Sequence, residues 1–175
     1  HVTGVQTCAL PILNVYDGIP YLRHDRWQQL YGSSAANVAP DAPASVGVAV
    51  PHQLPLQTSF GVDLNDHLGM DLREPIQLTT WLRDWGVAAV NVTMGNPYAN
   101  PHVVRPAEFA PVDGYDAPEH PLIGVLRNFD ATAAVQQAVP GFPVIGSGYS
   151  WLQDFALQAG AGNLRDHRCS IVGLG

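Results

Sequence analysis

Two short apolar runs that each end in glycine constrain the fold of this chain most strongly. Residues 141–151 have the sequence GFPVIGSGYSW, and residues 170–175 have the sequence SIVGLG. Each run is too short for a helix and is typical of a buried parallel strand whose backbone turns sharply at its carboxyl end. Ser150 is a suitable N-cap for a helix between the runs. The apolar residues at helical spacing there are Trp151, Leu152, Phe155 and Ala156.

The glycine turn at residues 146–148 predicts an anion site. Backbone N–H groups at such a turn, with the positive end of the next helix behind them, commonly bind phosphate. However, Trp151 occupies the position of the third glycine in a dinucleotide-binding fingerprint, so a simple tight turn is an equally open interpretation. The second glycine-ended run strengthens the prediction, because both strand ends are expected at one edge of a parallel sheet.

Hydrophobic periodicity predicts the other elements. A strand over residues 13–16 is followed by an excursion with little periodicity at 19–65, in which only residues 26–31 indicate a helical turn. A helix ending at Gly86 is expected to pack on a sheet through Ile76, Leu78, Trp81, Leu82 and Trp85. A strand at residues 87–93, with Ala and Val on both faces, is typical of a sheet covered on both sides.

A second long excursion, at residues 96–121, precedes the next predicted helix at 122–139. The inward-facing residues of that helix are predicted to be Val125, Leu126, Phe129, Ala133 and Val135. The helix after Trp151 is expected to end at residues 159–162, which have the sequence AGAG. Since every crossover contains a helix, the sheet is predicted to be parallel with right-handed crossovers.

Charge and composition narrow the function classes. The formal net charge is −7, and the chain has eight arginines and no lysine, which argues against nucleic-acid or anionic-membrane partners. No apolar stretch reaches the roughly 18 residues of a membrane span. Cys8 and Cys169 do not make a disulfide framework. We therefore expect a cytoplasmic protein that acts on a small molecule, with a homo-oligomer as an open alternative.

The two ends of the chain suggest a piece of a longer protein. Residues 1–12 resemble the translation of a sequencing adapter in a metagenomic assembly, and we predict that they are non-native; a genuine N-terminal strand is the alternative. Gly175 follows a predicted strand that no helix covers. We therefore predict one domain over residues 13–175 that is truncated at both ends.

Two groups of possible metal ligands lack a fixed register, and we interpret both as loop residues. They are His24, Asp25, Asp41 and His52 in the first excursion and His102, Asp113, Asp116, Glu119 and His120 in the second.

Six dispersed motifs add a family resemblance to this pattern. The motifs are residues 14–21 (NVYDGIPY), 90–98 (VNVTMGNPY), 100–103 (NPHV), 118–122 (PEHPL), 144–151 (VIGSGYSW) and 172–175 (VGLG). Over residues 13–175 they resemble the C-terminal half of an NADH:flavin oxidoreductase of the Old Yellow Enzyme family, on the branch similar to 2,4-dienoyl-CoA reductase. The resemblance implies an α/β fold that is a partial (β/α)8 TIM barrel, strands five to eight, with two long βα loops.

The resemblance also implies a cofactor and site residues. FMN would bind at the carboxyl ends of the strands, with its phosphate on the backbone of Gly146, Ser147 and Gly148 and of Leu174 and Gly175. The substrate-side candidates are Tyr98 and His102. The catalytic residues of the family lie on strands outside this stretch, and Ile12 stands where the family has an arginine near the flavin.

The implied reaction moves a hydride from NADH or NADPH through FMN to an activated C=C bond, as in an enoyl or dienoyl thioester. Two other hypotheses remain open. A non-redox phosphate-binding barrel enzyme, such as an aldolase or isomerase, would often use a lysine, which this chain lacks. Alternatively, the isolated half-barrel is inert and dimerises or aggregates through its strand edges and apolar surface.

Overall fold

The structure is a computed structural model that describes residues 10–32, 38–39, 41–57, 59–107 and 114–174. Its helices and strands follow one another in the predicted order. Two short strands are added in the first excursion, where the predicted helical turn is a helix, and a four-residue helix is added in the second excursion. In chain order they are β1 (Ile12–Asn14), β2 (Tyr21–Arg23), α1 (His24–Tyr31), β3 (Gly47–Ala49), α2 (Arg73–Asp84), β4 (Val90–Thr93), α3 (Pro101–Val104), α4 (Pro121–Ala138), β5 (Val144–Gly146), a 3-10 helix (Ser150–Phe155), α5 (Ala156–Arg165) and β6 (Ile171–Val172).

A four-stranded sheet in the order β1-β4-β5-β6 forms the centre of the fold, and each neighbouring pair of strands is parallel. Strands β2 and β3 pair antiparallel as a separate ribbon. The predicted α/β class and the parallel arrangement are therefore confirmed. Because the helical segments α2, α4 and α5 lie between successive strands, every carboxyl end of the sheet lies at the same edge.

The helices cover one face of this sheet. Val90, Val92 and Val144 share a buried core with residues of α4, and Ile76 of α2 packs against the same core. Gly160 of α5 lies against Val172, which is in register with Gly146 of β5 on this same face. Parallel sheets normally bury both faces. On β4, Val90 and Val92 are buried, whereas Asn91 and Thr93 on the other face are half-buried, so the expected two-sided cover of β4 is incomplete in the described part of the chain.

The opposite face, which we call the open face, carries the registered row Ile12, Asn91, Ile145 and Ile171. Ser147 belongs to it as well, because its hydroxyl bonds to the Asn91 side chain. Ile12 is 71% exposed and Ile171 is 46% exposed. These two apolar side chains project into solvent from the two edge strands, β1 and β6, whereas Ile145 on the inner strand β5 is buried.

Two predicted helix faces need correction. Trp81 and Trp85 stack on each other at the surface, with ring centroids 6.3 Å apart, instead of packing on the sheet. A helix turns about 100° per residue, so Trp85 lies half a turn away from the core residue Ile76. On α4, Leu126 is exposed, although the other four predicted inward positions are buried.

The glycines at residues 159–162 do not end a helix, because α5 continues to Arg165. A Cβ on Gly160 would lie 3.0 Å from Cγ2 of Val172, so this glycine lets α5 approach β6 closely. The helix predicted to begin near Ser150 is also divided. A six-residue 3-10 helix precedes α5, and its Gln153 has a φ of 48°.

Ile12 belongs to β1 and pairs with Asn91. Residues 1–9 lie outside the described chain, so the non-native origin of residues 1–12 stays a prediction. None of the described helices is long and apolar enough to cross a membrane.

Candidate functional site

The predicted phosphate-binding segments lie together at the carboxyl edge of the sheet. The Gly173 amide donates to the Gly146 carbonyl at 2.8 Å, which joins the ends of β5 and β6. Gly146 is the last residue of β5, and Ser147 and Gly148 follow it next to Leu174, which follows β6. Gly175, the fifth predicted residue, lies outside the described chain.

Backbone amides supply the donors of this edge. Gly148 has a φ of +91°, a conformation that glycine adopts at little cost, and it turns the chain away from β5. The amides of Ser147, Gly148 and Leu174 donate to no residue that the structure describes. Unpaired amides at neighbouring strand ends are a feature of sites that bind anions such as phosphate. The following 3-10 helix is short and kinked, so it adds less than the predicted helix end would.

The arginines of α4 and of the segment before β6 are already paired. Arg168 pairs with Asp130, and Arg127 of α4 pairs with Glu119. An anion bound at this edge would therefore depend on the backbone amides, in agreement with the expectation from the charge composition.

One side-chain pair connects this edge to the open face. The Ser147 hydroxyl donates to Oδ1 of Asn91 at 2.7 Å, across the neighbouring strands β5 and β4. Asn91 was not among the predicted site residues. The alternation Val90, Asn91, Val92, Thr93 contains the signal that would have identified it, since one face of β4 carries only polar residues.

The two substrate-side candidates lie in different environments. Tyr98 is 96% exposed in the turn before α3. His102 of α3 is buried, with Nδ1 at 2.6 Å from the Tyr115 hydroxyl and its ring edge-on to Tyr21. The exposed Tyr98 can contact a ligand directly, whereas the buried His102 can influence a ligand only through the residues that it contacts.

His102 belongs to a tyrosine–histidine cluster that sequence spacing did not predict. Its members are Tyr16, Tyr21, His67, His102 and Tyr115. The Tyr16 hydroxyl donates to the His67 carbonyl at 2.5 Å, and the Tyr21 hydroxyl lies 3.5 Å from Nε2 of His67. The members come from separate segments of the chain, so no local motif contains them.

Burial controls the ionisation of this cluster. It raises the pKa of Tyr16 to about 12 and also raises the pKa values of Tyr21 and Tyr115. Burial lowers the pKa of His102 to about 4, against a weaker opposing effect of the Glu119 carboxylate. At neutral pH the cluster therefore offers neutral hydroxyl and imidazole groups, which can hold a hydrogen-bonded arrangement without a net charge.

The Glu119–Arg127 ion pair lies near the cluster and is largely buried. Its two hydrogen bonds, at 2.6 and 2.7 Å, join the second excursion to α4. The side chains of Arg127 and Glu119 are only 14% and 18% exposed. The hydrogen bonds from Arg127 to the Glu119 carboxylate raise the pKa of Arg127.

No group of three potential metal ligands occurs among the residues that the structure describes. In the second excursion, His102 bonds to Tyr115, Glu119 pairs with Arg127, and Nδ1 of His120 accepts from the Leu122 amide. Asp113 lies outside the described chain.

Comparison with protein-family models, with curated proteins and with solved structures found no match to this chain.

The buried imidazole gives a pH-dependent stability that can be measured. The pKa of His102 is about 4 in the folded protein and 6.5 as the ordinary value, so only the unfolded chain binds a proton there between these values. The part of the free energy of unfolding that depends on neutral His102 is fully present above pH 6.5. It decreases as the pH falls toward 4, by about 3 kcal/mol in total. Urea unfolding from pH 7 to pH 4 measures this loss.

In His102→Gln we expect a flatter pH profile, with the remaining slope due to other groups such as His67, whose pKa burial also lowers. His167→Asn, at an exposed position, is the matched control and should retain the wild-type slope. Identical slopes in the His102 variant and the wild type would contradict the prediction.

Proposed function

We propose that this chain is the C-terminal half of the barrel of an FMN-dependent NAD(P)H oxidoreductase, similar to the Old Yellow Enzyme family. The observation that carries the proposal is the meeting of two glycine-rich strand ends at one edge of a parallel sheet, with the amides of Ser147, Gly148 and Leu174 available for a phosphate. The dispersed sequence motifs support the same family.

The one-sided cover of the sheet supports the half-barrel part of the proposal. In an eight-stranded (β/α) barrel, helices surround the outer face, and side chains from all strands fill the interior. Four further parallel strands would bury Ile12 and Ile171, which are exposed on the open face. The uncovered isoleucines are then interior residues of an incomplete barrel.

The residues present fit the phosphate end of FMN better than its ring. Three backbone amides and the Gly148 turn suit a phosphate dianion, while Ile12 stands where the resemblance implies an arginine. When bound, FMN would supply hydride transfer between NADH or NADPH and an activated alkene. The chain itself would hold the phosphate and orient the ligand along the open face, with exposed Tyr98 on the substrate side.

A comparison of FMN with riboflavin tests the proposal, because riboflavin lacks only the phosphate. We expect the folded chain to bind FMN at least about tenfold more tightly than riboflavin, since charge-assisted hydrogen bonds to the phosphate each contribute on the order of 1.5–3 kcal/mol. Quenching of flavin fluorescence measures both affinities. A folded chain that binds neither flavin, or both equally, would contradict the proposal.

Because one face of its sheet is open, we expect this chain to bind FMN without catalysing the reaction. The exposure of Ile12, Ile171 and Leu174 is what an incomplete barrel would show, and for such a barrel we expect no steady-state NADH oxidation by bound FMN. A non-redox phosphate-ester enzyme would instead bind inorganic phosphate and sugar phosphates with no preference for FMN over them.

A further inference from the structure

Asn91 is a hydrogen-bonding residue on the open face with an uncommitted donor group. It lies in β4, in register with Ile12 on one side and Ile145 on the other. Its Oδ1 accepts the Ser147 hydroxyl at 2.7 Å, so its Nδ2 turns away from Ser147. This Nδ2 has no hydrogen-bond partner among the described residues, and its atom is not buried from solvent.

The surroundings of Nδ2 restrict the chemistry of a partner. The registered row contributes apolar side chains on both sides of Asn91, and no member of that row carries a charge. Ile12 is exposed beside Asn91 and Ile145 is buried, so a planar ring placed here would lie against Ile12, and the amide N–H₂ group of Asn91 suits a neutral acceptor on that ring. A ring carbonyl or a ring nitrogen without hydrogen has these properties.

Ser147 connects this donor to the phosphate edge. Its backbone lies between Gly146 and Gly148, whose turn forms the candidate phosphate site, and its hydroxyl fixes the orientation of the Asn91 amide. An elongated ligand with a phosphate at one end and a planar ring at the other would therefore have Ser147 close to both ends.

We propose that Asn91 is a ligand-binding residue, whose Nδ2 donates to an acceptor on the planar ring of the ligand held by its phosphate at residues 146–148, and that Ser147 positions it. This inference rests on the proposed function, because it takes ring and phosphate to belong to one flavin. It gives a role in ligand binding to a residue of β4, whereas the candidate phosphate-binding residues lie at the ends of β5 and β6.

The test compares the binding of FMN and of inorganic phosphate to Asn91→Leu, a substitution of similar size that adds no charge. We expect a Kd for FMN about tenfold higher than in the wild type, the effect of one lost hydrogen bond to a desolvated acceptor. The Kd for inorganic phosphate should change by less than about twofold, because phosphate alone does not reach the ring position. Isothermal titration calorimetry measures both.

Thr93→Val is the matched control, since Thr93 lies on the same strand and face and its hydroxyl makes no hydrogen bond with a described residue. It should bind FMN as the wild type does. An equal loss in Thr93→Val, or equal losses of FMN and phosphate affinity in Asn91→Leu, would overturn the role of Asn91. So would unchanged FMN binding by Asn91→Leu.

Ser147→Ala provides a second measurement if Asn91→Leu fails to fold. Without the hydroxyl, the Asn91 amide can rotate, so FMN binding should weaken by about threefold, and Ser147→Thr should restore it. If neither holds, the inference is wrong. A folded wild-type chain that binds phosphate but not FMN overturns the proposed function as well, whereas normal FMN binding by every variant overturns only this inference.

Discussion

Replacing Gly61 with alanine is expected to detach the first excursion from the sheet and to lower the free energy of unfolding by about 4 kcal/mol. Gly61 has a φ of +75°, and a Cβ there would run into the carbonyl oxygen of buried Val15, directly after β1. Backbone cannot move aside as the end of a flexible side chain can. Urea denaturation of the purified variant measures the change.

Gly86→Ala is the matched control, because Gly86 has a φ of +85° and no described atom lies within 4 Å of the position that a Cβ would occupy. Its free energy of unfolding should fall only by the cost of holding an alanine in the left-handed conformation, about 1 kcal/mol. The difference between the two variants isolates the clash with Val15. Equal losses would show that backbone conformation, and not the close approach, accounts for the effect.

Removing one member of the Glu119–Arg127 pair is the second large expected effect. Glu119→Leu leaves the Arg127 guanidinium largely buried without its carboxylate, and the free energy of unfolding should fall by about 3 kcal/mol. Glu119→Leu/Arg127→Leu should be less damaging than the single change, because no buried charge remains unpaired. Denaturation at pH 7 of both variants measures the order.

The exposed ion pair of Arg165 with Asp166 provides the comparison for this experiment. Arg165→Ala should leave the denaturation midpoint unchanged, since exposed ion pairs contribute little to stability. A double variant as unstable as Glu119→Leu would show that packing at these positions, and not the unpaired charge, dominates.

Local pattern predicted the parallel sheet and the meeting of its two glycine-rich strand ends more successfully than it predicted the surroundings of individual side chains. The glycines after β5 and β6 have a local signature, because a sharp turn at a strand end requires them, and their neighbouring positions follow from parallel pairing. The exposure of Trp81 and Trp85 depends on which stripe of α2 contacts the sheet. Several stripes of that helix contain apolar residues, so periodicity alone did not select the buried one.

Long-range contacts have no comparable signature. His102 contacts Tyr115 and Tyr21 only because both excursions fold against each other. Ser147 and Asn91 are far apart in the sequence and come together only because β4 pairs with β5. Likewise, no local pattern shows that Gly160 lies against Val172. The glycine allows α5 to approach β6 closely and does not end the helix.

The sequence by itself determined the α/β class, the parallel strand order and the edge at which the two glycine-rich ends meet, because these depend on short-range periodicity and turn chemistry. Only the tertiary structure decided that one face of the sheet is open, that His102 is buried and that Asn91 is tied to Ser147. Those features depend on which distant surfaces come into contact, and burial, which sets both pKa values and exposed donors, exists only after the chain has folded.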